Sequence, residues 1–166
     1  MTQITNQPNR LRIRDAGPED QVTIRELTLA AYQEYAEQIP AHWENYRQNI
    51  LATLALAVSA EQIVAEQNGT IVGSTLLFPA GVVGFQPDGT PVTSPCPEVR
   101  LLAVAPSSRG QGIGAELLEE SVRRARASGA ALLTLHTTEM MQSAQRLYER
   151  MGLYAHQNST SIPLQT

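Results

Sequence analysis

Residues 11–14 alternate apolar and basic side chains, the period-two pattern of a short strand. Gly17-Pro18-Glu19-Asp20 then supplies a helix start, with proline at the first helical position and acids at the positive end of the dipole. That helix is expected to run to about Tyr35. Pro40 interrupts it, and a second helix is expected over residues 42–60, with Trp43, Tyr46, Ile50 and Leu54 on one face. Residues 62–67 and 70–78 are β-rich and flank Asn68-Gly69, a strong hairpin signal. Residues 79–97 hold five of the ten prolines and three glycines; they read as a long connection with a small hairpin at Pro87-Asp88-Gly89. A connection of this length commonly lines a site or moves.

A strand over 98–104 leads to a helix over 112–128, closed by Gly129 just past its C-cap. Ile113, Leu117, Leu118, Val122 and Ala125 form the apolar stripe of that helix, and Glu119–Arg123 and Glu120–Arg124 are expected as i,i+4 pairs on its wet face. Residues 132–137 read as a strand, 143–151 as a helix stopped by Gly152, and 160–164 as a weak last strand. The order βααβββαβαβ, without repeat or linker, predicts one α/β domain with a mixed central sheet flanked by helices. It is expected to occupy residues 10–166, after a flexible polar segment at 1–9.

Composition narrows the chemistry. The 166 residues, 42% of them apolar, suffice for one core that buries roughly two-thirds of the unfolded surface. No apolar run approaches the roughly 18 residues that span a bilayer, and the polar N-terminus lacks a signal-peptide core, so no membrane partner is expected. Cys96 is the sole cysteine, which excludes an intramolecular disulfide and a Cys-built zinc site and fits a reducing, cytoplasmic setting; no metal is expected. All 12 basic residues are arginine, and 16 acids leave a net charge of −4, a poor balance for gripping nucleic acid. Without lysine, Schiff-base and P-loop chemistries are closed. A homodimer is left open.

The most informative stretch is Val104-Ala105-Pro106-Ser107-Ser108-Arg109-Gly110-Gln111-Gly112-Ile113-Gly114. A strand ends, and alternating glycines lead into a helix start. Glycines here let backbone N–H groups approach an anion, the helix N-terminus adds partial positive charge, and Arg109 adds a full one. A tight turn packed for its own sake is the plainer alternative. Gly110-x-Gly112-x-x-Ala115 also matches a loose dinucleotide fingerprint, yet the following strand ends in His136-Thr137 with no acid placed for a ribose.

Arg109-x-x-Gly112-x-Gly114, entered from a strand and opening a helix, resembles the acyl-CoA pyrophosphate motif of the GNAT superfamily of N-acetyltransferases. Leu147-Tyr148-Glu149-Arg150-Met151-Gly152-Leu153 is similar to that family's helix ending, and Glu98-Val99-Arg100-Leu101-Leu102-Ala103-Val104 to its central strand. The resemblance covers residues 98–154 and beyond them only the order of elements. It implies the GNAT fold, acetyl-CoA as co-substrate, and direct attack by a primary amine of a small molecule, peptide or protein in a ternary complex. It further implies that backbone groups of Leu102, Ala103 and Val104 hold the pantetheine arm, and that Arg109, Gly110, Gln111, Gly112, Ile113 and Gly114 hold the pyrophosphate.

Tyr148 falls at the family's general acid, which the motif favours over the alternative of an aromatic packed on the sheet. Glu98 falls where some members carry the general base, against the alternative of a solvated acid paired with Arg100. His136 is a second base candidate, since histidine titrates near neutrality. Met141 departs from the family's usual cofactor-contacting Asn, and with Leu153-Tyr154 it leaves room for an acyl-CoA-binding sensor without catalysis; a dinucleotide-dependent oxidoreductase is the remaining rival. Tyr32, Tyr35, Trp43 and Tyr46 fall within fifteen residues and could form an acceptor wall for a cationic amine or an ordinary helix contact. Cys96 reads as a small buried residue rather than an acyl carrier.

Overall fold

The computed structural model describes residues 10–136, 141–152, 154–156 and 159–164. Strand β1 (Leu11–Asp15) leads through a 3-10 turn, Pro18–Asp20, into helix α1 (Gln21–Tyr32). The predicted acidic start is used directly: Asp20 accepts a hydrogen bond from the Gly17 N–H at 2.7 Å and an ion pair from Arg14 at 2.7 Å. Arg14 and that N–H together hold the Asp20 carboxyl below the usual carboxylate range. After α2 (Trp43–Ala55) come β2 (Glu61–Gln67), β3 (Thr70–Phe78), β4 (Gly81–Phe85), β5 (Pro91–Ser94) and β6 (Glu98–Val104). The chain closes with α3 (Ile113–Ala127), β7 (Leu132–His136), α4 (Gln142–Arg150), β8 (Tyr154–His156) and β9 (Ser159–Pro163).

The main sheet has the order β1-β2-β3-β6-β7-β9-β8, and β4 pairs with β5 separately. Every pairing is antiparallel except β6 with β7. A single parallel pair does not build the doubly wound parallel sheet of a dinucleotide-binding fold, so that rival loses its scaffold. Ile113, Leu117 and Leu118 of α3 and Tyr148 of α4 pack with Ile63, Val99 and Leu133 on one face of the sheet. Leu27, Ala31 and Tyr32 of α1 and Ile50 of α2 cover the other face around Ala103.

Two irregularities of β6 matter for everything that follows. Ser74 pairs with Ala103 and Leu76 with Arg100, so β6 spends three residues where β3 spends two. The extra residue is accommodated at Leu101, whose φ of 51° is left-handed, a β-bulge. The bulge inverts the side-chain alternation. Arg100 and Leu101 therefore both contact Phe78 or its cluster, while Val99 and Leu102 join the opposite core. The second irregularity is a split: β6 and β7 pair only at Glu98↔Thr134 and Val99↔Leu135.

Several expectations are corrected. The second helix ends at Ala55, not residue 60, and continues as a 3-10 turn, Leu56–Ser59. Its apolar residues misled the reading because Leu56 and Val58 are exposed rather than packed. Arg123 pairs with Glu120 at 2.6 Å and not with Glu119, because Glu120 is the half-buried carboxylate that also takes Arg124 at 2.8 Å. Arg124 reaches on to Glu61 at 2.7 Å, tying α3 to β2. Strand β8 escaped notice because three residues carry no usable period. The segment 1–9, Thr137 and Leu153 lie outside the described residues.

The Glu120 cluster carries a pH prediction. Hydrogen bonds from Arg123 and then Arg124 hold the Glu120 carboxyl down at about 2, against an ordinary 4.5. A depressed folded-state value stabilises the fold above the unfolded value, and that contribution disappears as pH falls through the folded one. Glu120→Gln is therefore expected to lower the urea midpoint at pH 7. The gap to wild type should close as pH falls from 4.5 toward 2; a gap constant over that range would refute the assignment.

Candidate active site

Where β6 and β7 part, the edge of β6 from Leu101 to Val104, which pairs with no described strand on that side, opens onto a cavity of about 870 Å³. Six strand steps of about 3.3 Å put roughly 20 Å between Glu98 and Val104 at the far end of β6. The cavity runs past both, since Glu98, His136, Gly110, Gly112 and Gly114 all line it.

At the turn, Gly110 and Gly112 adopt φ of 77° and 80°, left-handed conformations that only glycine takes at little cost. Nothing stands within 4 Å of a Cβ built on either. Gly112 is the N-cap of α3, and among the described residues no side-chain hydrogen bond caps that terminus. The first amides of a 15-residue helix thus lie at the cavity with no side-chain acceptor among the described residues, beside open space. Gly114 differs: a Cβ there would come within 3.3 Å of Leu147 Cδ2, a tight contact, so glycine at this position lets α3 and α4 approach closely. Gln111 does not line the cavity; its side-chain carbonyl accepts from Gln67 at 3.4 Å. Arg109 lines the cavity, with its charge already engaged by Glu34 at 2.5 Å and the Ala31 carbonyl at 2.9 Å.

On the opposite wall, α4 brings Tyr148 into the cavity with only 6% of its surface exposed. Its hydroxyl makes no hydrogen bond to another described residue, and burial pushes the phenol up to about 12. Tyr32 donates to the Leu102 carbonyl at 3.4 Å, and burial first, then the neighbouring Tyr46 and Tyr148, raises its phenol well above the ordinary range.

At the start of β6 the two base candidates meet. His136 Nε2 lies 3.1 Å from Glu98 Oε1, because the parallel register aligns the start of β6 with the end of β7. Arg100 grips both Glu98 oxygens, at 2.7 and 3.1 Å, while its guanidinium lies 4.9 Å from the Phe78 ring centre. The expected Arg100 pairing is present, but Glu98 is 3% exposed, so it is not a solvated acid.

Tyr35 and Tyr46 line the cavity with Tyr32, their rings 5.8 and 6.2 Å from it, whereas Trp43 packs tilted against Tyr46 and does not line the cavity. Met141 lines the cavity at the N-cap of α4 and supplies no side-chain cap. Cys96 is buried 3.8 Å from the Thr134 hydroxyl, away from the cavity. The sequence reading missed Arg146 and Arg150, which line the cavity from α4. Their i,i+4 spacing was visible, but such a pair is usually just a solvated helix face. Among the described residues no cluster could hold a metal ion, and no helix is long and apolar enough to cross a membrane.

Comparison with known proteins converges on this architecture. The model of the acetyltransferase (GNAT) family matches residues 24–153. The mycothiol acetyltransferase of Parafrankia sp. (strain EAN1pec) is 35% identical over 99 residues. That match covers 56% of this chain and 31% of the relative, so the chain spans about a third of its length. A GNAT-family acetyltransferase from Brucella melitensis, solved with acetyl-CoA, shares the fold at a TM-score of 0.66 and 22% identity, covering 96% of this chain and 91% of that one. The PaiA N-acetyltransferase from Thermoplasma acidophilum, solved with coenzyme A, gives 0.69 and 16%, covering 93% and 99%.

Proposed function

Because the chain belongs to the acetyltransferase (GNAT) family, we propose that it transfers an acetyl group from acetyl-CoA to a primary amine bound in the same cleft. The observation that carries this reading is the coincidence of two features on one cavity: the α3 N-terminus without a side-chain cap, and the unpaired edge of β6. Open space at Gly110 and Gly112 fits a diphosphate held by backbone amides. The bulge at Leu101 breaks the β3–β6 register just before Leu102, Ala103 and Val104; in this reading their backbone groups hold the extended arm and donate to an oxygen that becomes negative during attack.

Acetyl-CoA supplies the acetyl group activated as a thioester; the rest of the chemistry falls to the chain. Arg109 and the amides of Ile113 and Gly114 bind the diphosphate, the former by leaving Glu34. Tyr148 donates a hydrogen bond to the departing sulfur. The Glu98–His136 pair receives the proton that the attacking amine must lose, with Arg100 fixing the carboxylate. Tyr35 and Tyr46 offer π faces to an amine that arrives as a cation, whether on a small molecule, a peptide or a protein.

The test has two measurements. Acetyl-CoA should raise the melting temperature and NAD or NADP should not, because only a ligand specific for the folded state stabilises it. Free-thiol release should then appear with some member of a panel of amines grouped by chemistry. Stabilisation with no turnover across that panel would favour a sensor that binds acyl-CoA without catalysis. No stabilisation at all would remove the assignment.

A further inference from the structure

Resting on the reading that the cleft holds a CoA thioester, we infer that Arg146 and Arg150 recognise the phosphomonoester on the carrier's ribose. They thereby set a preference for coenzyme A over its dephospho form. The two arginines stand one turn apart on α4 and both line the cavity. They flank Leu147, the side chain that closes against Gly114 at the mouth of α3, so their wall adjoins the anion cradle.

What singles them out is the charge balance of the cleft. The cavity is also lined by Arg100 and Arg109, but each of these is matched by a carboxylate: Glu98 at 2.7 Å and Glu34 at 2.5 Å. Arg146 makes only a 3.4 Å contact to the Gln142 amide oxygen, and neither it nor Arg150 has an ion pair among the described residues. Like charges at this spacing repel, and the chain as a whole carries a net charge of −4. Both are exposed, so water already screens their repulsion; what they offer the cavity is two cations that no carboxylate among the described residues neutralises.

The ligand's charges divide to suit. Its diphosphate meets the α3 amides and Arg109. A phosphomonoester, with a second pKa near 6 and up to two charges at neutral pH, remains to be matched. The planar guanidinium fork suits its oxygens in a way a point charge does not.

The experiment is calorimetric titration of the purified protein with coenzyme A and with dephospho-coenzyme A, in low and in high salt. Wild type is expected to bind coenzyme A about tenfold more tightly in low salt, with the preference shrinking as salt screens it. Arg146→Gln/Arg150→Gln should bring coenzyme A down to the dephospho affinity and leave dephospho-coenzyme A within about twofold. Arg150→Gln alone should fall between, which keeps the test sharp if the double variant folds poorly. Equal wild-type affinities for the two carriers overturn the inference. So does a variant that weakens both equally, since the arginines would then serve the diphosphate. If wild type binds neither carrier, the thioester reading itself has failed and this inference falls with it.

Discussion

A Gly112→Glu variant is expected to fold and to bind acetyl-CoA at least about a hundredfold more weakly than wild type. The fold should survive because nothing lies within 4 Å of the new Cβ. The cost is torsional: a φ of 80° charges a non-glycine residue roughly 1–2 kcal/mol, and a carboxylate at a helix N-terminus returns part of that through the dipole. Binding should not survive, because the same carboxylate takes up the α3 amides that the diphosphate needs. A like charge about 4 Å from a phosphate oxygen opposes binding by ~4 kcal/mol at an effective dielectric of 20. Gly112→Ala separates the two effects: it carries the torsional strain without the charge and should keep most of the affinity. Calorimetry on both variants, with melting curves to confirm folding, decides the matter. Undiminished affinity in the glutamate variant would mean the diphosphate is held elsewhere.

That prediction rests on residues legible in the sequence, because the signals there are local. Glycine at a strand-to-helix junction has few explanations, and Asn68-Gly69 likewise gave the β2–β3 hairpin. The bulge was illegible for the opposite reason. Leu101 takes a left-handed φ that leucine does not favour, so neither glycine nor asparagine marks the place. Only the mismatch in register between β3 and β6 imposes it. A strictly alternating reading of β6 therefore puts Arg100 and Leu101 on opposite faces, when both turn toward Phe78.

Long-range coincidence was equally hidden. Glu98 and His136 were separate candidates for one role, and the parallel register makes them neighbours across 38 positions of sequence. Arg109 was read as a full charge at the glycine turn; the chain's own Glu34, 75 residues away, already pairs with it. Of the three glycines read as one cradle, Gly114 packs close against Leu147 on another helix. In each case the residue was found, and its partner was set by packing between elements that no local pattern encodes.

Tyr148→Phe tests the chemistry rather than the grip, and turnover is expected to fall about a hundredfold with acetyl-CoA affinity changed less than about twofold. Phenylalanine keeps the ring, which packs in the α3–α4 core, and removes only a hydroxyl that bonds no other described residue. Binding should therefore be indifferent to the change. The size of the loss follows from the pKa. Burial holds this phenol at about 12, while an ordinary thiol ionises near 8.5, so complete proton transfer to the departing sulfur runs uphill by roughly 3–4 units, about 5 kcal/mol. In the proposed mechanism Tyr148 therefore acts as a hydrogen-bond donor to developing charge more than as a full proton source, which puts the expected effect at the lower end of the usual range for acid catalysis. The same value fixes the pH behaviour: a group titrating at about 12 stays protonated through neutral and mildly alkaline solution. The wild-type and Phe profiles should accordingly keep the same shape between pH 6 and 10, displaced by a constant factor; those bounds are approximate working limits below the Tyr148 value. A deficit that vanishes as pH rises through about 8.5 would indicate an acid far stronger than this buried phenol. Equal losses in turnover and affinity would instead make Tyr148 a positioning residue, since only a group that acts in the transition state separates the two.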